Sequence, residues 1–137
     1  MTVVFADTNI IVYAFAAEAD KLCIAEDIVK AAPVISTQVV NEFHNVARRK
    51  LGLDLETRHR VATDLLQSCR VVSVDRMIAL DAMRIEAIYG FSYWDSLILS
   101  AALSAGCDVL YTEDMQDGQV IDGRLKVKNP FVSDTVF

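Results

Sequence analysis

Four carboxylates, Asp7, Glu42, Asp95 and Asp114, each stand where an apolar element meets a polar turn. Hydrolysis of a phosphodiester needs an activated water, withdrawal of charge from the phosphoryl oxygens and help for the departing oxygen. Hard divalent cations supply all three. Mg²⁺ and Mn²⁺ prefer oxygen ligands in octahedral geometry and keep several waters, so an acid cluster without His or Cys suits them better than zinc. Crowded acids also repel one another, which predicts a raised pKa for at least one of them in the absence of metal.

The elements that must position these acids can be read from hydrophobic periodicity. Asp7 follows Thr2-Val3-Val4-Phe5-Ala6, a short β-branched run that reads as a buried strand, and Asp114 follows Val109-Leu110-Tyr111 in the same way. In open parallel α/β sheets the carboxyl edge is where ligands bind, so two strands aim acids at one place. Further strands are expected over Val34 to Ser36, Val71 to Val74 and, more weakly, Leu125 to Val127. Helices are expected from Ile10 to about Ala16, from Asp20 to Ala32, from Thr37 onward, and from Glu56 to Gln67. In the Thr37 helix Val39, Phe43, Val46 and Ala47 share a face while Glu42 looks aside. Asp75 and Ser92 stand where N-caps belong, Gly90 and Gly106 where helices stop, and Asp95 falls in the first turn of a helix from Tyr93 to Ala105. This alternation of strand and helix is the mark of βαβ units.

The 137 residues fit one domain, 1–137, with a sizeable core; 53% are hydrophobic, which excludes a disordered chain. Thirteen basic against nineteen acidic residues argue against a protein that coats nucleic acid through a broad positive surface. The bases are nonetheless clustered, at Arg48-Arg49-Lys50 and Arg58-His59-Arg60. Arg48, Arg49 and Lys50 end a helix, where they either complement its negative pole or contact RNA phosphates. Three cysteines without CxxC spacing indicate neither disulfide framework nor zinc site. No apolar run approaches a membrane span and no signal-type segment opens the chain, so a cytoplasmic protein is expected. His44 and His59 have no Ser or Cys motif beside them; Phe91, Tyr93 and Trp94 read as packing, and Glu113 and Asp117 as solvated loop charges.

Each acid alone has an ordinary structural explanation, such as helix capping, but four together do not. The segments Asp7-Thr8-Asn9-Ile10-Ile11-Val12-Tyr13, Ser36-Thr37-Gln38-Val39-Val40-Asn41-Glu42-Phe43, Tyr93-Trp94-Asp95-Ser96-Leu97-Ile98 and Leu110-Tyr111-Thr112-Glu113-Asp114 resemble, in order and separation, the successive motifs of PIN-domain ribonucleases. The chain is most similar to the VapC-type toxins of bacterial toxin–antitoxin pairs. That resemblance implies a three-layer α/β/α sandwich with a central parallel sheet, and a magnesium- or manganese-dependent endoribonuclease. Asp7, Glu42 and Asp95 match its central acids and Asp114 the fourth, more variable one; Asn9 and Thr112 match polar residues lining the site, and Ser96 is a supporting candidate. Asp7 and Asp95 are then expected to hold the principal metal with Asp114 recruiting a second, while Glu42 orients or deprotonates water. An RNA substrate, a small antitoxin covering the site and a homodimer built on helices away from it are implied in the same way.

Three other readings compete, of which a receiver domain would need an acidic pair at the first strand and an acid at the third, whereas Asp7 stands alone and Asp75 reads better as a cap. Asp7-Thr8-Asn9 loosely resembles the nucleophile loop of haloacid-dehalogenase-type phosphatases, but those place a second Asp where Asn9 stands and carry a cap for which this length leaves little room. A PIN-like module that no longer cleaves is the non-enzymatic alternative, and the intact acids argue against it.

Overall fold

The computed structural model describes residues 1–16 and 19–132. Its strands are β1 (Val4–Ala6), β2 (Val34–Ser36), β3 (Arg70–Val72), β4 (Val109–Tyr111), β5 (Val120–Ile121) and β6 (Leu125–Lys128). Its helices are α1 (Thr8–Tyr13), α2 (Ala19–Lys30), α3 (Thr37–Arg49), α4 (Leu55–Ser68), α5 (Arg76–Tyr89) and α6 (Tyr93–Ser104). The sheet runs in the order β3-β2-β1-β4-β6-β5, with every neighbouring pair parallel except β5 against β6. Helices flank it in two packed groups, α1 to α4 and α5 with α6. The architecture is the expected α/β/α one, with an antiparallel edge. Among the described residues no helix is long and apolar enough to cross a membrane.

The centre of the sheet is apolar from both sides, as parallel strands covered by helices require. Phe5, Ile35, Leu110 and Val127 are fully buried in β1, β2, β4 and β6, and Phe43 of α3 and Ile85 of α5 close on them. The first strand lies in the middle. The chain leaves β1 for β2 and β3 on one side, then returns through α5 and α6 to place β4 on the other. The reversal point between β1 and β4 is where a sheet of this type opens a crevice at its carboxyl edge.

Local differences from the expected elements have physical causes. β3 ends at Val72, because the Val74 N–H donates to the Thr37 hydroxyl (3.1 Å) and so leaves the ladder. β5 has two residues, too few for an alternation pattern, and it exists by pairing with β6. Helix α1 stops at Tyr13, short of the expected Ala16.

The caps fall where the sequence places them. Asp75 Oδ1 accepts from the Ile78 N–H at 3.0 Å, and Gly90 closes α5 in the left-handed region at φ 77°. A Cβ added at Gly90 would meet nothing within 4 Å, so the cost of Gly90→Ala is confined to the backbone. That substitution is expected to lower stability by about 1 kcal/mol in urea denaturation, the penalty of a left-handed L-residue.

Candidate active site

Asp7 sits at the end of β1 with its side chain buried. Strand pairing brings Ala6 opposite Tyr111, and the Asp7 N–H donates to the Tyr111 carbonyl at 3.0 Å, so the two strand ends are locked side by side. Asp7 Oδ1 accepts from the Thr8 N–H (2.7 Å) and Oδ2 from the fully buried Thr112 hydroxyl (2.8 Å). The Thr112 oxygen in turn accepts from the Asp114 N–H (3.1 Å), and the Asn9 amide donates to Asp114 Oδ2 (3.0 Å). Asp7, Asn9, Thr112 and Asp114 thus form one hydrogen-bonded set across the switch point.

Glu42 joins from α3, which starts at this edge because Ser36 caps it at the end of β2. Its two oxygens are held separately. Oε2 accepts from the Thr8 hydroxyl (2.7 Å) and Oε1 from the Gln38 amide (2.9 Å), one helical turn back. The same Gln38 nitrogen donates to the Trp94 carbonyl (3.2 Å), fastening α3 to the start of α6, where Asp95 lies. Ser92 caps α6 by accepting from the Asp95 N–H (3.1 Å). Ser96 is fully buried, and its hydroxyl has no hydrogen-bond partner among the described residues.

The charges show the same convergence and extend it to Asp95. Burial pushes Asp7 up to about 6, against the hydrogen bonds from Thr112 and Thr8, with Glu42 and Asp114 raising it further. Asp95 is raised by burial and then by Asp114, with a smaller push from Glu42. Asp114 is raised by burial, then by Glu113 and Glu42. The repulsion expected of crowded acids is present, although desolvation is the larger cause in each case.

Several residues depart from the sequence reading. Glu113 is not a free loop charge: it accepts from the Tyr13 hydroxyl (2.5 Å) and pairs with Lys21 (3.1 Å), whose ammonium also lies 4.5 Å from the Tyr13 ring centroid. Asp117 accepts from the Asn129 N–H (2.8 Å). Trp94, expected to pack, is 66% exposed. Arg48, Arg49 and Lys50, by contrast, end α3 as expected, and all three are exposed. Thr8 and Gln38, which hold Glu42, were missed as site residues. The signal available for Gln38 was its spacing of four from Glu42 on one helix.

The donor set can be tested against a metal. Among the described residues no three His, Cys, Asp or Glu side chains already form a cage for an ion. Nor does any of the four acids take part in an ion pair among the described residues. An all-oxygen set of unneutralised carboxylates fits a hard cation that binds through one or two acids and keeps its waters, which is how magnesium is usually held.

Residues 4–116 match the PIN domain family. This chain is a PIN-domain protein. No match is found among curated proteins. Among solved structures, the PIN-domain chain resembles a toxin–antitoxin complex from Klebsiella pneumoniae, with a TM-score of 0.70 and 21% identity over 94% of this chain and 98% of that one. It also resembles VapC20 of Mycobacterium tuberculosis, a sarcin–ricin loop cleaving toxin, with TM-score 0.67 and 19% identity over 81% of this chain and 89% of that one. A third likeness is to VapBC2 from Rickettsia felis bound to a promoter DNA fragment, with TM-score 0.66 and 18% identity over 93% and 100% of the two chains. At these identities the PIN fold is what is shared.

Proposed function

We propose that this PIN-domain protein is a divalent-metal-dependent endoribonuclease and the toxin of a toxin–antitoxin pair. The observation that carries the reading is the gathering of four carboxylates, without cationic partners among the described residues, from three sheet and helix elements and one loop, at the switch point of the sheet. Toxins and toxin–antitoxin complexes among the similar folds support the biological half of it. The protein would act on RNA in the cytoplasm, with a small antitoxin covering the acids.

Asp7, Asp95 and Asp114 would hold Mg²⁺ or Mn²⁺, which when bound supplies charge withdrawal from the phosphoryl group and an activated water. Glu42 is the acid best placed to orient or take a proton from the attacking water, because Thr8 and Gln38 fix both of its oxygens. Thr112 and Asn9 fix Asp7 and Asp114 in the same manner, and Ser96 brings a buried hydroxyl next to Asp95 in sequence. Arg48, Arg49 and Lys50 supply positive charge for the RNA backbone. Met77, Leu80, Met83 and Ile88 expose apolar side chains along α5, a surface that the second copy of a homodimer would cover.

The test is incubation of the purified protein with total RNA in Mg²⁺ or Mn²⁺, with EDTA as the control. Metal-dependent cleavage is expected, and inertness across metals and RNAs would overturn the reading. Thr8 is a positioning residue in this scheme. Thr8→Val keeps its shape but removes the donor to Glu42, and is expected to lower kcat about tenfold with little change in KM, as loss of a supporting hydrogen bond does. Thr8→Ser, which restores the hydroxyl, is expected to recover most of it.

A further inference from the structure

Beside the acid cluster lies a cavity of about 730 Å³ whose wall includes Asn9, Tyr13, Phe15, Val46, Lys50 and Glu113. Its size falls within the range of ordinary ligand pockets. Asn9 is common to both places, since its amide holds Asp114, so whatever occupies the cavity abuts the acids.

The charges in the wall are not balanced. Glu113 is already neutralised by Lys21 and bonded to Tyr13, whereas the Lys50 ammonium takes part in no ion pair among the described residues. Among the described residues the wall therefore offers one available positive charge and no available negative one. It also offers an aromatic ring. Phe15 is 41% exposed and is braced from behind by Phe43 in an edge contact at 6.0 Å. A cation and a supported flat ring in one cavity match a ligand that carries an anion and a flat apolar face together. A nucleotide is such a ligand, and stacking on an aromatic side chain with a basic contact to the backbone is the general mode of single-strand binding.

We propose that this cavity is a subsite for the nucleotide flanking the cleaved bond, with its phosphate on Lys50 and its base against Phe15. The proposal rests on the ribonuclease reading and deepens it: of the three clustered cations ending α3, Lys50 is the one that lines the cavity. Arg48 and Arg49 serve RNA farther along the strand.

The test measures binding of a short labelled single-stranded RNA by fluorescence anisotropy across a salt series. It is done with Mg²⁺ in an Asp95→Asn background so that the RNA stays whole. Adding Lys50→Ala is expected to reduce the slope of log affinity against log salt by about 0.7, the loss of one phosphate contact on a single strand. Phe15→Leu, which keeps an apolar side chain against Phe43, is expected to weaken binding about tenfold with the slope unchanged, as loss of one stacked base does. Lys126→Ala, a charge-matched change at an exposed position of β6 away from this cavity, is expected to leave binding within about twofold. Circular dichroism confirms that each variant is folded.

A Lys50→Ala slope no different from that of Lys126→Ala, or full binding by Phe15→Leu, overturns the subsite and leaves the cavity to a peptide of a protein partner. Absence of RNA binding in the parent overturns it as well. Cleavage by the wild type is scored separately. Normal cleavage with unaffected binding in the variants removes the subsite alone, whereas the expected binding effects without any cleavage remove the ribonuclease reading and retain an RNA-binding groove.

Discussion

Asp95→Asn is expected to abolish RNA cleavage while the protein stays folded. The side chain keeps its size, and the cap survives, because it is the Asp95 backbone N–H that donates to Ser92. Losing a carboxylate from the first turn of α6 costs about 0.5 kcal/mol of favourable interaction with the helix dipole. Release of the repulsion from Asp114 and Glu42 offsets this loss. Stability therefore changes little. Activity is expected to change greatly, because under the proposed reading Asp95 helps hold the cation, whose charge stabilisation of the transition state is worth several kcal/mol, and each 1.36 kcal/mol is about tenfold in rate. A fall in kcat of about a thousandfold or more is expected in a single-turnover assay on a defined RNA. Wild-type rates in the variant would remove Asp95 from the site, and an unfolded variant at ordinary temperature would make it structural.

The second large effect is on stability. Metal-free protein is expected to lose stability as pH rises from about 4 through about 6 and to stay less stable above that range. Asp7 holds its proton up to about 6 in the folded protein against an ordinary value of 3.8, so the folded state binds more protons than the unfolded chain between those values. Stability must then fall with rising pH across that window. A carboxyl that keeps its proton about two pH units longer than in the unfolded chain costs about 3 kcal/mol at neutral pH, or about 10 °C in Tm for a domain of this size. Asp7→Asn is expected to flatten the dependence and to stabilise the metal-free protein at pH 7. It does so by less than the full amount, because the amide leaves the Thr112 hydroxyl, which now accepts from two donors, without an acceptor for its own proton. Saturating Mg²⁺ is expected to flatten the wild-type curve in the same way, since bound cation takes the place of the proton. Scanning calorimetry at several pH values, with EDTA or Mg²⁺, checks all three. A wild-type Tm whose change from pH 4 to pH 7 in EDTA matches that of Asp7→Asn would overturn the raised value of Asp7.

The sequence was most legible where one residue type has one structural meaning. Val34-Ile35-Ser36 and Val109-Leu110-Tyr111 are strands as expected, and Asp75, Ser92 and Gly90 cap helices as expected, because each of these signals is local. The four acids stood out because strand ends and helix starts concentrate at one edge of a parallel sheet. Their supports were harder to see. Thr8 at the first position of a short helix and Gln38 in the first turn of another are ordinary residues there, and only the tertiary approach of α1, α3 and α6 turns them into donors for Glu42 and the Trp94 carbonyl. Glu113 read as a solvated charge because its partners, Tyr13 and Lys21, lie about a hundred residues away in sequence. Strand β5 was invisible for a similar reason, since two residues carry no periodicity and β6 alone makes them a strand.

The place of the first strand in the middle of the sheet has a consequence for how the protein comes into being. The bond between Asp7 and Thr112 closes a separation of 105 residues, and β4 must also have β6 on its far side. Pairings of such high contact order form late, and during synthesis β1 cannot meet β4 until the chain through Thr112 has emerged, nor β4 meet β6 until the chain through Lys128 has. A ribosome making this protein therefore carries for a time a nascent chain in which Asp7 has emerged but Asp114, about a hundred residues on, has not, and the acids are still apart. Under the ribonuclease reading proposed above, the RNA of the translation machinery meets an assembled acid cluster only after β4 and the β6 strand that flanks it have left the ribosome, so the order of synthesis delays the site.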